Sequence, residues 1–81
     1  MKLITLHKLK IISGAECIRI LCKHFGFQEV RQKGSHIILK KQTEFGLIGT
    51  VVPNHNELKI GTLKGILELA KVSEDDFAKF L

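Results

Sequence analysis

The sequence predicts an α+β domain in which one helix, three antiparallel strands and a second helix follow in order, with both helices on one face of the sheet. Three observations carry this reading. A serine-led cap opens a stretch with apolar residues at spacings of three and four, three short β-rich runs follow between turn residues, and a second amphipathic stretch comes after Pro53. At 81 residues there is room for one core, so 1–81 reads as a single domain with 1–12 as an N-terminal arm.

The arm alternates apolar and basic groups, carries no cap, and is expected to be extended or loosely ordered. Ser13-Gly14-Ala15-Glu16 then matches a capping box, in which the Ser13 oxygen accepts from the Glu16 N–H and the Glu16 carboxylate reaches back. Ala15, Ile18, Leu21, Cys22 and Phe25 recur at helical spacing and predict the inward stripe of a helix over 14–25, with Glu16, Arg19 and Lys23 outward. Gly26 supplies the left-handed residue that stops it.

Residues 27–32 read as a strand of imperfect alternation, in which Phe27 and Val30 call for a twist or bulge. Lys33-Gly34-Ser35 is a turn, and 36–41 is a second strand placing Ile37, Leu39 and Lys41 on one face and His36, Ile38 and Lys40 on the other. Residues 42–46 are expected to connect it to a third strand over 47–52, stopped by Pro53. Short connections make the sheet an antiparallel meander. After a loop over 54–61, Thr62 can cap a second helix whose stripe is Leu63, Ile66, Leu67 and Ala70. Ser73 caps a last short helix with Glu74, Asp75 and Asp76 in its first turn and Phe77, Phe80 and Leu81 inward. With one apolar face per helix, the far face of the sheet is expected to be wet and available.

Composition narrows the function. Thirteen Lys and Arg against eight Asp and Glu give a formal net charge of +5. Residues 1–65 hold eleven basic and four acidic side chains, whereas 66–81 hold two and four. A basic body with a mildly acidic tail suits a polyanionic partner for the body and a different contact for the tail. No apolar run of 18 residues is present, so no membrane span is expected. The opening apolar run is broken by Thr5 and His7 and is too short for a secretory signal, so the expected location is cytoplasmic. Cys17 and Cys22, five residues apart, would lie about 140° apart around a helix and can neither bridge nor share a metal there. They read as reduced, partly buried thiols.

Neither a phosphate-binding glycine loop nor a close carboxylate pair on the basic body is present, which leaves histidine as the group able to do chemistry. His7, His24, His36 and His55 show no zinc-ligand spacing, so no metal or other cofactor is expected. His36 closes the run Arg31-Gln32-Lys33-Gly34-Ser35-His36 and precedes Lys40 and Lys41. An imidazole exchanges protons at neutral pH, the cations attract a phosphate and favour charge growing on it, and Gly34 permits close backbone approach. Taken alone, the run is a weak signal and fits better a polar residue opening an exposed strand among solubilising lysines.

Ile12-Ser13-Gly14, Gly26-Phe27, Arg31-Gln32-Lys33-Gly34-Ser35-His36, Val52-Pro53-Asn54-His55 and Glu57-Leu58-Lys59-Ile60-Gly61-Thr62-Leu63 together resemble the HicA toxins of toxin–antitoxin modules. Ile66-Leu67-Glu68-Leu69-Ala70 and Ser73-Glu74-Asp75-Asp76-Phe77 continue the likeness, which runs from about Lys8 to the end. The order of the segments, more than the Gly-Ser-His run, makes it specific. The resemblance implies a fold similar to double-stranded-RNA-binding domains. It also implies a metal-independent endoribonuclease that cleaves mRNA, arrests translation and is neutralised by a HicB antitoxin. The family's catalytic histidine falls on His36, with Gly34 and Ser35 as motif neighbours. One departure is Lys71, where the family often has Gly after the Ala that ends helix two; a left-handed Lys71 would cost about 1 kcal/mol.

On this reading His36 is general base or acid for attack of the ribose 2′-hydroxyl on the adjacent phosphorus. Arg31, Lys33, Lys40 and Lys41 are candidate phosphate contacts near the turn, and Lys59 and Lys64 flank the start of helix two. His55 is a secondary candidate for proton transfer, though a loop or capping role fits it better. Two other classes remain open. One is a non-catalytic RNA-binding module using the same basic surface, which would retain RNA in a salt-dependent way without shortening it. The other is a protein-interaction subunit that binds no RNA.

Overall fold

The computed structural model describes residues 8–81. In order they form α1 (Gly14–His24), β1 (Gln28–Lys33), β2 (His36–Thr43), β3 (Gly46–Pro53), α2 (Ile60–Ala70) and α3 (Glu74–Ala78). The sheet is antiparallel in the order β1-β2-β3, as the short turns require, and the helix–three strands–helix order is that of a double-stranded-RNA-binding-like α+β fold.

The core lies between the helices and one face of the sheet. Ile37 and Leu39 of β2 and Thr50 and Val52 of β3 are buried there against Cys17, Ile20 and Leu21 of α1 and Leu63, Ile66, Leu67 and Ala70 of α2. Thr50 is the one polar member among the described residues, and its hydroxyl donates to the Ile66 carbonyl at 2.8 Å, tying α2 to β3. Leu58 fills the end of the core, and its backbone bridges Ile12. The last described part of the arm is therefore held by pairing; residues 1–7 lie outside the described residues.

The strands differ from expectation in ways the backbone explains. Val30 is left unpaired between the Glu29–Leu39 and Arg31–Ile38 pairs, the bulge that the broken alternation called for. Thr43 pairs with Gly46, so the second connection shrinks to Glu44 and Phe45. Thr43 Oγ1 closes it, accepting from the Phe45 N–H at 3.1 Å and donating to the Gly46 carbonyl at 2.7 Å.

Both helix starts carry corrections. At α1, Ser13 Oγ accepts from the Glu16 N–H at 3.0 Å as expected, but the Glu16 carboxylate turns outward to Arg19 Nη2 at 2.6 Å instead of reaching back. That pairing holds the carboxyl below its ordinary value. The buried side of α1 is Gly14, Cys17, Ile20 and Leu21, about a quarter-turn from the expected stripe. Ala15 is exposed, and Ile18, Cys22 and Phe25 pack only partly on the core. Close apposition of Gly14 to the chain beyond β3 sets this rotation. Helix α2 begins at Ile60 with Lys59 as its cap residue, so Thr62 sits inside the first turn and caps nothing. Its far end has Lys71 at φ 58° and ψ 33°, the left-handed stop in which the Val72 N–H returns to the Leu67 carbonyl.

Helix α3 follows its cap as expected, Ser73 Oγ accepting from the Asp76 N–H at 3.0 Å. Phe77 is buried, whereas Phe80 lies at the surface and stacks on His24 with ring centroids 3.9 Å apart.

Candidate functional site

Three short segments interlock at the corner where β2 begins. Gly34 and Ser35 form the two-residue turn into β2, with Gly34 at φ 59°, a left-handed angle that a side chain resists. The Ser35 carbonyl accepts from the Asn54 N–H at 2.7 Å, which carries strand pairing one residue past Pro53. The Pro53 carbonyl accepts from the His55 N–H at 2.9 Å, and the His55 carbonyl accepts from the Gly14 N–H at 2.8 Å. A Cβ on Gly14 would lie 2.1 Å from the Pro53 oxygen, so only glycine allows α1 to abut this loop. Glycine directly after the cap serine is the one sign of this close approach in the sequence.

His36 stands at this corner, exposed, on the face of the sheet turned away from the helices. Its neighbours across the ladder are Lys33 on β1 and Pro53 on β3. The next cross-strand row on the same face is Arg31, Ile38 and Val51, and the one after is Gln28, Lys40 and Gly49. Glu29 pairs with Leu39 and so takes the helix side, where its charge helps raise the Cys22 thiol after the larger effect of burial. The outer face therefore gathers Arg31, Lys33, His36 and Lys40 with no acidic side chain among its paired residues. Val51 and Leu47 add exposed apolar surface to it.

The remaining candidates lie elsewhere. Lys41 is on the helix-facing side of β2, its Nζ 5.9 Å from the centroid of the Phe27 ring. Lys64 extends toward α3, with Nζ 4.0 Å from Glu74 Oε1. Lys59 and His55 line a cleft of about 250 Å³ together with Pro53, Glu57, Leu58 and Thr62, between the end of β3 and the first turn of α2. Pro53 links the two places, being both a wall of the cleft and the cross-strand neighbour of His36. Nothing in the residue pattern pointed to Glu57 and Thr62 as cleft residues, because the cleft exists only once β3 and α2 are packed.

Neither thiol suits nucleophilic chemistry. Burial, with a smaller effect from Cys22, pushes the Cys17 thiol from its ordinary 9.0 up to about 12. Among the described residues no group of three or more His, Cys, Asp and Glu is placed to hold a metal ion.

Residues 14–72 match the family model of the HicA toxin of bacterial toxin–antitoxin systems. The chain belongs to this HicA toxin family. The match opens at the glycine clamped against Pro53 and closes just past left-handed Lys71, so α1, the whole sheet, the interlocked corner and α2 all fall within it. Helix α3 of the HicA chain lies beyond it. Membership makes the HicA chain the toxin of a toxin–antitoxin pair, and an antitoxin partner goes with that role. No curated protein and no solved structure matches the chain. No helix among the described residues is long and apolar enough to cross a membrane.

Proposed function

We propose that the HicA chain is an endoribonuclease that cleaves mRNA, with His36 as the proton-transfer group and with no metal required. The observation that carries this reading is an exposed imidazole on a sheet face whose charged groups are all cationic, directly opposite Lys33. RNA brings its own nucleophile. The ribose 2′-hydroxyl lies beside the phosphorus it attacks, so the protein need only move a proton and stabilise charge. His36 takes the proton as the 2′-oxygen bonds to phosphorus, or supplies one to the departing 5′-oxygen. The products are a 2′,3′-cyclic phosphate and a free 5′-hydroxyl. Lys33 and Arg31 face the negative charge that grows on the phosphoryl oxygens.

The same cationic face fits a HicB antitoxin that presents acidic side chains, since covering it would exclude RNA. The test is cleavage of a single-stranded RNA in excess chelator by wild type and His36→Ala. Loss of one proton-transfer group lowers the rate by roughly 10²–10⁴-fold. Equal cleavage by a folded His36→Ala removes His36 from the mechanism. RNA retained in a salt-dependent way but never shortened replaces the nuclease with a binding module.

A further inference from the structure

We propose that the cleft between β3 and α2 is a nucleobase subsite that takes guanine. The assignment rests on RNA being the substrate of the HicA chain. At about 250 Å³ the cleft holds one base with part of its ribose and no more. Its place fits a nucleotide flanking the scissile phosphate, because Pro53 borders both the cleft and His36.

The walls are of two kinds. Pro53 and His55 offer surfaces on which a base can stack, and Leu58 forms part of the apolar lining. The backbone of His55 is tied to Pro53 through its N–H and to Gly14 through its carbonyl, which fixes where its side chain leaves the chain. The polar wall is Glu57, Lys59 and Thr62. Glu57 is the informative member. It is exposed and forms no ion pair among the described residues, unlike Glu16, Glu74 and Asp76. A free carboxylate beside an RNA-binding surface repels phosphate unless it accepts hydrogen bonds from a base. Guanine presents N1–H and N2–H side by side, two parallel donors that match the two oxygens of a carboxylate. Adenine and cytosine place a ring acceptor next to their amine, and uracil flanks its single N–H with two carbonyls. Lys59 or the Thr62 hydroxyl completes the match by donating to guanine O6.

The experiment titrates the full chain with the 3′-monophosphates of guanosine, adenosine, cytidine and uridine, following backbone amide resonances. Expected is a shift centred on His55, Glu57, Lys59 and Thr62, with guanosine monophosphate binding about tenfold more tightly than the others. Glu57→Gln, whose amide offers a donor where guanine needs an acceptor, should abolish that preference while keeping a wild-type amide spectrum elsewhere. His36→Ala should retain it. Equal affinity for all four nucleotides, no binding at all, shifts confined to other surfaces, or a preference unchanged in Glu57→Gln each overturns the proposal. Failure of the nuclease reading is a separate result: RNA left intact by wild type while guanine still selects the cleft.

Discussion

Two single residues depart from what their positions favour, and each has a measurable consequence. Lys71 holds φ 58° to end α2, a conformation that costs a side-chain-bearing residue about 1 kcal/mol. Lys71→Gly is therefore expected to stabilise the chain by about 1 kcal/mol, read as a higher denaturation midpoint with unchanged cooperativity. Cys17 is the second case. In the unfolded chain its thiol ionises near the ordinary 9.0, whereas in the folded chain burial holds it protonated to about 12. Its contribution to stability is thus whole below pH 9 and is lost as the pH climbs toward 12, because the unfolded state there binds fewer protons. Urea midpoints should fall across that window for wild type, and Cys17→Ala should flatten the fall. A midpoint equally steep in the variant would assign the alkaline loss to another group.

At the scale of elements, the decisive contact is α1 against the chain beyond β3. Gly14→Ala would drive a methyl into the Pro53 oxygen, and the loop that also fixes Asn54 against Ser35 must move. Overpacking of this kind costs about 1–3 kcal/mol, visible in thermal unfolding, and should perturb the amides of Ser35, His36 and His55 more than those of α3. This contact also shows what the sequence could and could not tell. The strands were legible because β-branched runs between Gly, Ser and Pro leave few alternatives, and even the bulge at Val30 showed in the broken alternation. The rotation of α1 was not legible. Helical spacing fixes which residues share a face, but Ala15 and Gly14 differ too little in hydrophobicity to say which side turns inward, and the deciding atom is a carbonyl some forty residues away. Thr62 misled for a similar reason: its hydroxyl suits a cap, yet the backbone turns helical at Ile60, just after Leu58 enters the core and bridges Ile12.

For the whole molecule, charge is sorted by face. His36 was legible as a candidate from its basic run, but the sequence treated all six lysine and arginine candidates alike, since distance along the chain does not reveal sides. The fold separates them: Arg31, Lys33 and Lys40 share a face with His36, Lys41 lies over Phe27 and Lys64 reaches Glu74. For binding to single-stranded RNA, replacing Arg31, Lys33 and Lys40 by Gln is expected to lower the slope of log affinity against log salt by about 2. The Lys41, Lys64 double replacement should change it less, and a larger effect from that pair would move the binding surface. Behind this sorting stands the unpaired Val30. It absorbs one step of the alternation in β1; in a ladder without that extra step Glu29 would swing outward next to Arg31 and offset its charge. A single irregular residue thereby sets how strongly the open side of the sheet draws a polyanion.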